Sequence, residues 1–484
     1  MKFASLLFLA FAALLAGCSR KPATGPVTVS VIGEAPAIVD PSRTPPSPAS
    51  AVLLSETAQG LVSFDAAGEI KPGLGERWII FDEGLDYTFR VASDSGISAE
   101  QTARLLRRMT DPNGNNALRS VLGAIEEIVA VTPEVVEIRL RSPRPNLLQL
   151  LAQPDMALIR NGKGTGPMRI LSHDAGSMLL RPIQDDDAEG PQASAIRQGE
   201  RDVRLFGETA KLAIERFTAG RSALVLGGTF DDLAMARFAN PPAAVLRFDP
   251  VVGLFGLQFV EKQGFVGPPE IRRALAMAID RDRILASFAV KEWKPAVALV
   301  PASIADLPAP ATPDWAGAPI EQRRTSAART IANWVKQQGS PPPLRVALPG
   351  GPGSAQLFGL LAQDWAAIGV HAVRVPMGAD ADLRLVDAIA PSDIASWYLR
   401  RFTCRLSAVC SEAADQSLNG ARLVATLAER TALLADADRR LAEAVPFIPL
   451  AMPLRWALVS PTLDGFRTNV RGAHPLTELR APAR

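Results

Sequence analysis

The sequence predicts an α/β protein of several domains. Segments that alternate between apolar and polar residues, such as residues 27–32, indicate β-strands, and segments of helical periodicity, such as residues 271–288, lie among them along the whole chain. Such mixing of strands and helices is typical of α/β architecture. The chain has 484 residues, of which 48% are hydrophobic. That length corresponds to roughly two to four domains of about 100 to 200 residues each.

The first half of the chain begins with short elements. An alternating, β-branched run predicts a strand at residues 27–32, and an apolar helix is expected near residues 51–60. Ser98 and Gln101 have the spacing of a capping box, which predicts a helix with Leu105 on its apolar face. Further strands are predicted at residues 87–91 and 135–140, and a further helix at residues 146–152.

The second half has longer helices. They are predicted at residues 271–288, 354–368 and 422–444, and the second of them leads into a strand at residues 370–375. Residues 295–319 are rich in proline and are expected to form an excursion on the surface.

Composition excludes several classes of protein. Lys+Arg number 52 and Asp+Glu 50, a net charge of +2, so the chain lacks the basic surplus that binding to nucleic acid requires. The high hydrophobic content argues against intrinsic disorder. With only 3 His and 3 Cys in the chain, we expect no metal centre built from histidines.

Residues 1–17 have the features of a signal peptide. Lys2 precedes an apolar run, residues 4–16, that is too short to span a membrane but suits a secretory signal. Residues 15–18 resemble the lipobox of bacterial lipoproteins, in which the cysteine, here Cys18, is acylated, for instance by palmitate, and becomes the mature N-terminus. The alternative is an ordinary signal peptide with a chance cysteine. Residues 18–26 are predicted to be a tether.

Two further cysteines remain once Cys18 carries lipid. An exported compartment permits a disulfide between Cys404 and Cys410, which would close a small loop and fix a local conformation. Two free, buried thiols are the alternative. No other stretch of the sequence is apolar and long enough to cross a bilayer, so the rest of the chain is expected to be a soluble, exported body.

The motifs of enzymes are missing from the sequence. Residues 162–163 suggest a phosphate-binding loop, but Ala157 stands where such a loop requires its first glycine. There is no G-x-S-x-G elbow and no H-E-x-x-H. No nucleophile motif accompanies His173, and neither His371 nor His474 has a second ligand at helical or turn spacing. We therefore expect no catalytic residue, no metal and no cofactor.

A series of short motifs follows in order along the chain. They are TAQGLVSFD at residues 57–65, GEIKPGLGERW at 68–78, DEGLDYTF at 82–89, GTGP at 164–167, PEIRRALAMAIDR at 269–281 and AVPFIPL at 444–450. Together they resemble the family 5 extracellular solute-binding proteins, the oligopeptide, dipeptide and nickel receptors of ABC importers. The resemblance covers nearly the whole mature chain.

The resemblance implies a two-lobe fold of the type II periplasmic binding proteins, similar to cluster C, with an extra inserted subdomain. It places lobe I at residues 27–50, 165–246 and 450–484, the inserted subdomain at residues 51–164 and lobe II at residues 247–449. The crossings near residues 246 and 450 would form the hinge. Gly164 and Gly166 are expected to adopt backbone geometry that a Cβ would strain.

The resemblance also implies a ligand site. In relatives that bind peptides, an Asp in a segment similar to W-x-x-D-Y-P-D-P holds the α-ammonium group of the ligand, and strands hydrogen-bond its backbone. Asp393 stands where the second acidic residue is expected, although the Trp and Tyr of the pattern are missing. We expect Asp393 to accept the ammonium group, Trp397 or Tyr398 to form a stacking wall and Gln258 to be a backbone partner. For both aromatics, packing in a core is the alternative.

These features predict a monomeric receptor in the periplasm or cell envelope, anchored to a membrane by lipid. It would bind a small peptide or similar solute, close over it and present it to an ABC permease in the inner membrane. The alternative is an envelope adaptor or sensor lipoprotein that keeps the fold without transport. A receptor needs a roomy, polar cleft, whereas an adaptor can have a closed or apolar one.

Overall fold

The computed structural model describes residues 25–144, 146–183 and 201–479. The predicted signal peptide, Cys18 and most of the predicted tether lie outside these ranges. Within them, none of the helices combines the length and the apolar character that a membrane span requires.

The described residues form a mixed α/β structure whose elements we number in chain order. The strands are β1 Val27–Ile32, β2 Val62–Phe64, β3 Ile70–Pro72, β4 Gly75–Phe81, β5 Asp86–Val91, β6 Ile125–Thr132, β7 Val135–Leu140, β8 Met168–Asp174, β9 Ser177–Pro182, β10 Val203–Glu208, β11 Leu224–Gly228, β12 Leu246–Asp249, β13 Gly253–Phe259, β14 Leu344–Leu348, β15 Ala372–Pro376, β16 Leu383–Ile389, β17 Phe447–Ala451 and β18 Arg455–Val459. The α-helices are α1 Pro48–Thr57, α2 Ala99–Met109, α3 Arg119–Leu122, α4 Leu147–Leu151, α5 Ala210–Thr218, α6 Leu233–Phe238, α7 Pro269–Ala278, α8 Arg281–Ser287, α9 Ile320–Gln338, α10 Pro352–Ala366, α11 Ala395–Arg400, α12 Glu412–Gly420 and α13 Leu427–Ala444.

Local sequence signals account for where several helices begin. The capping box of α2 forms as predicted, because Ser98 Oγ accepts from the Gln101 backbone N–H and the Gln101 side chain accepts from the Ser98 N–H. The prediction of a single helix at residues 271–288 is wrong, because the helix is interrupted between α7 and α8. The Asp280 side chain accepts from Arg283 N at 3.0 Å and caps the second helix. Similarly, α13 begins five residues later than expected because Thr426 caps it.

The largest sheet of the described residues contains seven strands in the order β12-β18-β11-β1-β10-β9-β8. β1 runs parallel to its neighbours β10 and β11, whereas β18 is antiparallel to both β11 and β12. One face of this sheet packs against α1, where Leu53 is fully buried with Val29 and Leu205. The sheet therefore joins the beginning of the described chain to its end.

A second sheet has the order β15-β14-β16-β13-β17. It packs against helices α7 to α10 in the most extensive apolar cluster of the described residues, which includes Leu257, Leu275 and Trp365. The chain passes from the first sheet to the second between β12 and β13, and it returns between β17 and β18. The two crossing segments are only three residues long each, residues 250–252 and 452–454.

A third layer lies between α1 and β8 in the sequence. It consists of the four-stranded sheet β4-β5-β7-β6 and the short ribbon β2-β3. Tyr87, Phe89 and Ile138 are buried on the face that packs against α2. Tyr87 also donates its hydroxyl to the backbone oxygen of Arg144 at 2.5 Å, which satisfies its polar atom within the core.

The turn at residues 164–166 is where the chain leaves this third layer for β8. Gly164 and Gly166 are not among the glycines with positive φ, so the Cβ that we expected to be strained at these positions is not excluded by a left-handed backbone. Instead the turn passes close to the end of α1: a Cβ on Gly164 would lie 2.2 Å from Ala58 Cβ, and one on Gly166 would lie 2.2 Å from the backbone oxygen of Glu56. These glycines are needed for close approach.

Replacing Gly166 by alanine should destabilise the protein by about 1 to 3 kcal/mol, because the added methyl group meets backbone that cannot move aside cheaply. Urea unfolding of Gly166→Ala measures the change. The matched control is Gly317→Ala, since Gly317 is exposed and an added Cβ there meets nothing within 4 Å. Equal unfolding free energies for the two variants would contradict this account of the turn.

Candidate functional site

A central cavity of about 430 Å³ lies where the three layers meet. Val31 of β1 and Leu226 of β11, near the carboxyl ends of two parallel strands, form its base. Ligands bind at the carboxyl ends of strands in open α/β sheets. Its apolar walls consist of Pro48, Ala51, Val52, Val62, Phe64, Pro72, Pro154, Pro167, Ile389 and Trp456. We refer to this space as the central cavity.

The C-terminal segment, residues 471–477, forms one side of the central cavity. Glu56 of α1 binds this segment, because its two carboxylate oxygens accept from the backbone N–H groups of Leu476 at 2.7 Å and Thr477 at 3.3 Å. Next to this contact, Lys71 forms a salt bridge of 2.7 Å with Glu478. The segment is therefore fixed to α1 and to the β2-β3 ribbon.

A buried His–Asp pair lies in the wall of the cavity. His474 Nε2 is 3.1 Å from Asp249 Oδ2, and the two side chains are 6% and 4% exposed. The other oxygen of Asp249 accepts from the backbone N–H of Asn469 at 3.0 Å, and the His474 ring stacks on Phe466 with centroids 4.6 Å apart. The pair thus fixes the C-terminal segment to the end of β12.

Arg455 is the first residue of β18, directly after the second crossing segment, and it lines the central cavity. Its Nη1 donates to Asp387 Oδ1 at 2.8 Å and to the backbone oxygen of Leu454 at 2.9 Å. Asp387 belongs to β16, so this pair joins the two large sheets. Burial raises the pKa of Asp387, an effect that Arg455 partly offsets. Removing either partner would leave a poorly hydrated charge unpaired.

Asp393 does not present a free carboxylate for an ammonium group, which corrects the role expected from the sequence. Its Oδ1 accepts from Arg471 Nη1 at 2.9 Å, its Oδ2 accepts from Arg471 Nη2 and from Gln149 Nε2, and its backbone oxygen accepts from Asn146. Burial alone would raise the pKa of Asp393, but Arg471 and Gln149 lower it by more. A ligand ammonium would have to displace a guanidinium that is 6% exposed.

Neither aromatic side chain expected as a stacking wall lines the central cavity. Tyr398 is fully buried beside Leu399 and Phe402. Trp397 is partly buried, packs between two apolar clusters and meets the ring of Tyr398 edge-on with centroids 4.8 Å apart. The structure therefore places Tyr398 in a core, which was the alternative interpretation.

Gln258 is not available as a backbone partner for a ligand, because β13 is hydrogen-bonded to β16 on one side and to β17 on the other. Its side chain donates to Ser407 Oγ at 3.4 Å. Ser407 lies in the loop closed by Cys404 and Cys410, which are bonded as a disulfide with their Cα atoms 5.0 Å apart. This loop lies away from the central cavity.

The sequence reasoning missed Asp387 and Arg455. Laid on residues 384–391, the pattern W-x-x-D-Y-P-D-P matches its last proline to Pro391 and its first acidic residue to Asp387. Aligning the last proline of this pattern with Pro391 would have identified Asp387 from the sequence. No motif marks Arg455, because the contact with β16 depends on the return of the chain to the first sheet. Among the described residues, no group of three His, Cys, Asp or Glu is arranged to hold a metal.

No family model matches the chain. Among curated proteins, it is 23% identical to Di/tripeptide-binding protein 2 of Pseudomonas aeruginosa, over 98% of this chain and 98% of that protein. It is 24% identical to the probable ABC transporter periplasmic-binding protein SapA of Escherichia coli, over 83% of this chain and 81% of that protein.

Solved structures show the same fold. The murein tripeptide binding protein MppA of Escherichia coli aligns with a TM-score of 0.79 at 17% identity, over 96% of this chain and 99% of that chain. Haemophilus influenzae OppA in complex with RPPGFSPFR aligns with a TM-score of 0.78 at 15% identity, over 95% and 99%. The fold is that of the type II periplasmic binding proteins, as the motifs predicted, and one of these curated relatives is a probable periplasmic-binding protein of an ABC transporter.

The carboxyl group of Glu56 is a titratable element of the cavity wall. Burial raises its pKa from 4.5 to about 7, although the N–H groups of Leu476 and Thr477 and the charge of Lys71 all lower it. Because the pKa is higher in the folded protein than in the unfolded chain, the folded state binds more protons between these values. This contribution to stability is complete below about pH 4.5 and is lost as the pH rises through about 7.

Replacing Glu56 by glutamine should remove that pH dependence. The wild-type protein should lose about 3 kcal/mol of unfolding free energy relative to the variant between pH 4.5 and pH 8. Urea unfolding of both proteins at several pH values measures the difference. Glu321→Gln, at an exposed position on the first turn of α9, is the control and should run parallel to the wild type. A constant difference between wild type and Glu56→Gln would exclude titration of Glu56 in this range.

Proposed function

We propose that this chain, which has the fold and the homologues of the family 5 solute-binding proteins, is the substrate-binding lipoprotein of an ABC importer. It captures a small peptide or similar solute in the central cavity by closure of two lobes and delivers it to a permease in the inner membrane. In this proposal lobe I comprises residues 27–50, 165–246 and 450–484, the inserted subdomain residues 51–164 and lobe II residues 247–449. The mechanism is binding and closure, without covalent chemistry.

The observation that carries the proposal is the central cavity itself. Its volume of about 430 Å³ is in the lower part of the range of roughly 300 to 1,000 Å³ that small-molecule sites occupy. Its walls combine apolar side chains with the polar groups of Lys71, Arg455 and the C-terminal segment. A cavity of this size and polarity supports a small solute as the ligand. The match to a di/tripeptide-binding protein over 98% of both chains supports a short peptide as that solute.

Contacts across the cleft support a closed arrangement. Gln149 and Gln153, on the side of the inserted layer, hydrogen-bond residues 391–393 beyond β16. Arg471 binds Asp393 from the C-terminal segment. The unliganded open form of MppA aligns with a TM-score of only 0.65, compared with 0.79 for the other MppA structure. The short crossing segments between the two large sheets are the proposed hinge.

A second candidate is an envelope adaptor or sensor that keeps the fold without transporting a ligand. The charge pairs Arg471–Asp393 and Arg455–Asp387 connect the two sides of the cleft through groups of the protein itself, and that is the observation in its support. The two functions differ in one respect: a receptor gains stability from its solute, whereas an adaptor of this kind has no solute that changes its stability.

The receptor function predicts that solute raises the melting temperature. Protein purified from its host is examined by native mass spectrometry, then unfolded in urea, refolded without ligand and screened with di- and tripeptides. A peptide at about 100 times its Kd should stabilise the protein by about 2.7 kcal/mol. An adaptor would carry no solute and show no shift with peptides, metals or other small molecules, and that outcome would end the receptor proposal.

The lipoprotein assignment predicts a change of location on substitution of Cys18. In the host, the wild-type protein should fractionate with membranes, and Cys18→Ala should be exported but released into the soluble fraction, because acyl chains provide the anchor. The double variant Cys404→Ala/Cys410→Ala is the control, since it removes both cysteines of the disulfide, leaves no unpaired partner and lies far from the N-terminus. Membrane retention of a Cys18→Ala protein whose signal peptide is shown by mass spectrometry to have been removed would show that the anchor lies elsewhere.

A further inference from the structure

The carboxylates that line the central cavity have little capacity left for a ligand. Among the described residues of its wall they are Glu56 and Asp249. Each oxygen of Glu56 already accepts a backbone N–H of the C-terminal segment, and those of Asp249 are engaged by Asn469 and His474. Glu56 is 2% exposed, and the Asp249 side chain is 4% exposed. Neither offers an ammonium group a surface on which to bind.

Of the three Lys and Arg side chains that the described residues contribute to the wall, Arg471 is engaged by Asp393, whereas Arg455 and Lys71 have donors to spare. Arg455 uses Nη1 for its two short hydrogen bonds, its Nη2 makes only a 3.5 Å contact with Asp387 O, and no described residue accepts from its Nε. Lys71 donates to Glu478 alone among the described residues, so two of the three ammonium protons are available. Their side chains are 17% and 35% exposed, and both line the cavity.

We infer that the central cavity selects a small apolar acid, held by its carboxylate on Arg455 with Lys71 as the second cation. This inference rests on the proposed receptor function and names its ligand class. A guanidinium fits a carboxylate with two parallel N–H groups, and such charge-assisted bonds are stronger than neutral ones. For a short peptide, the anchor is the C-terminal carboxylate, and a free α-ammonium group is not required.

Two glutamine side chains in the cavity wall can also bind the backbone of a peptide ligand. Gln59 and Gln153 line the cavity and donate their amide groups to backbone oxygens, Gln59 to Thr165 and Gln153 to Pro391. Their carboxamide oxygens accept from none of the described residues, so they can accept the N–H groups of a ligand. The apolar walls contributed by Phe64 and Val62 suit aliphatic side chains.

The experiment compares ligands that differ only in their ends. Calorimetric titration of refolded, ligand-free protein uses Leu-Leu, N-acetyl-Leu-Leu and Leu-Leu-amide, with hexanoate and hexylamine as ligands that lack a peptide bond. The free and the acetylated dipeptide should bind with Kd values within about threefold of each other. The amide should bind at least about tenfold more weakly, the loss expected for one charge-assisted hydrogen bond. Hexanoate should bind better than hexylamine.

Substitutions at Arg455 and Asp387 test whether Arg455 is the residue that binds the ligand carboxylate. Arg455→Gln alone leaves the poorly exposed Asp387 without its cation, which destabilises the fold, so the double variant Arg455→Gln/Asp387→Asn removes both partners together. It should lose the preference for acid over amide, whereas Asp387→Asn alone keeps Arg455 and should retain it. Arg104→Gln, at a side chain that is 63% exposed on α2, is the control for loss of one positive charge.

The outcomes separate this inference from the receptor function. If Leu-Leu-amide or hexylamine binds while the acetylated peptide and hexanoate do not, the carboxylate anchor is wrong but the receptor proposal stands. If neither acid binds, the carboxylate anchor is also wrong, and native mass spectrometry of the protein from its host decides whether another solute occupies the cavity. A double variant that still prefers the acid would overturn the role of Arg455.

Discussion

The return of the chain to the first sheet through β18 is the contact on which the rest of the structure depends. β18 is hydrogen-bonded between β11 and β12, so the last strand of the described chain completes the sheet that β1 begins. This pairing places the second crossing next to the first and brings Arg455 to the cavity. It also leads residues 471–477 across the end of α1, where Glu56 binds them. The base and one side of the cavity thus come from opposite ends of the sequence.

Charges near the cavity are arranged in pairs that hold separate layers together. Arg455 and Asp387 join the two large sheets, Arg471 and Asp393 join the C-terminal segment to the loop after β16, and Lys71 and Glu478 join that segment to the β2-β3 ribbon. Pairs that are poorly exposed cost desolvation energy and are weak evidence for stability. They do fix which groups face the ligand, because a buried carboxylate that already binds a cation or backbone N–H groups attracts a ligand ammonium group less than a free, exposed one does. Pairing within the protein therefore decides the polarity of the site.

Sequence reasoning predicted local structure and family well, and tertiary partners poorly. The strand at residues 27–32 and the capping box of α2 depend on neighbouring residues, so their patterns sufficed. The break between α7 and α8 was missed because an apolar face continues through it, and only the cap at Asp280 ends the helix. The role expected for Asp393 failed for a different reason. Its partner Arg471 lies 78 residues further along the chain, and no spacing rule connects them. Likewise, nothing in the sequence of α1 indicates that Glu56 is buried against a segment 420 residues away.

The discontinuous sheet has a consequence for how the polypeptide reaches its native state. β1 is made at the start of synthesis, whereas β18 occupies residues 455–459, so the sheet stays incomplete until nearly the whole chain has been made. Contacts between residues so far apart in sequence are slow to form, because a long loop must close before they contribute. Until then, β11 has no partner on one side and its apolar residues lack part of their core. The nascent protein therefore passes through a long interval with an open, apolar sheet edge, in which chaperones and proteases compete for it.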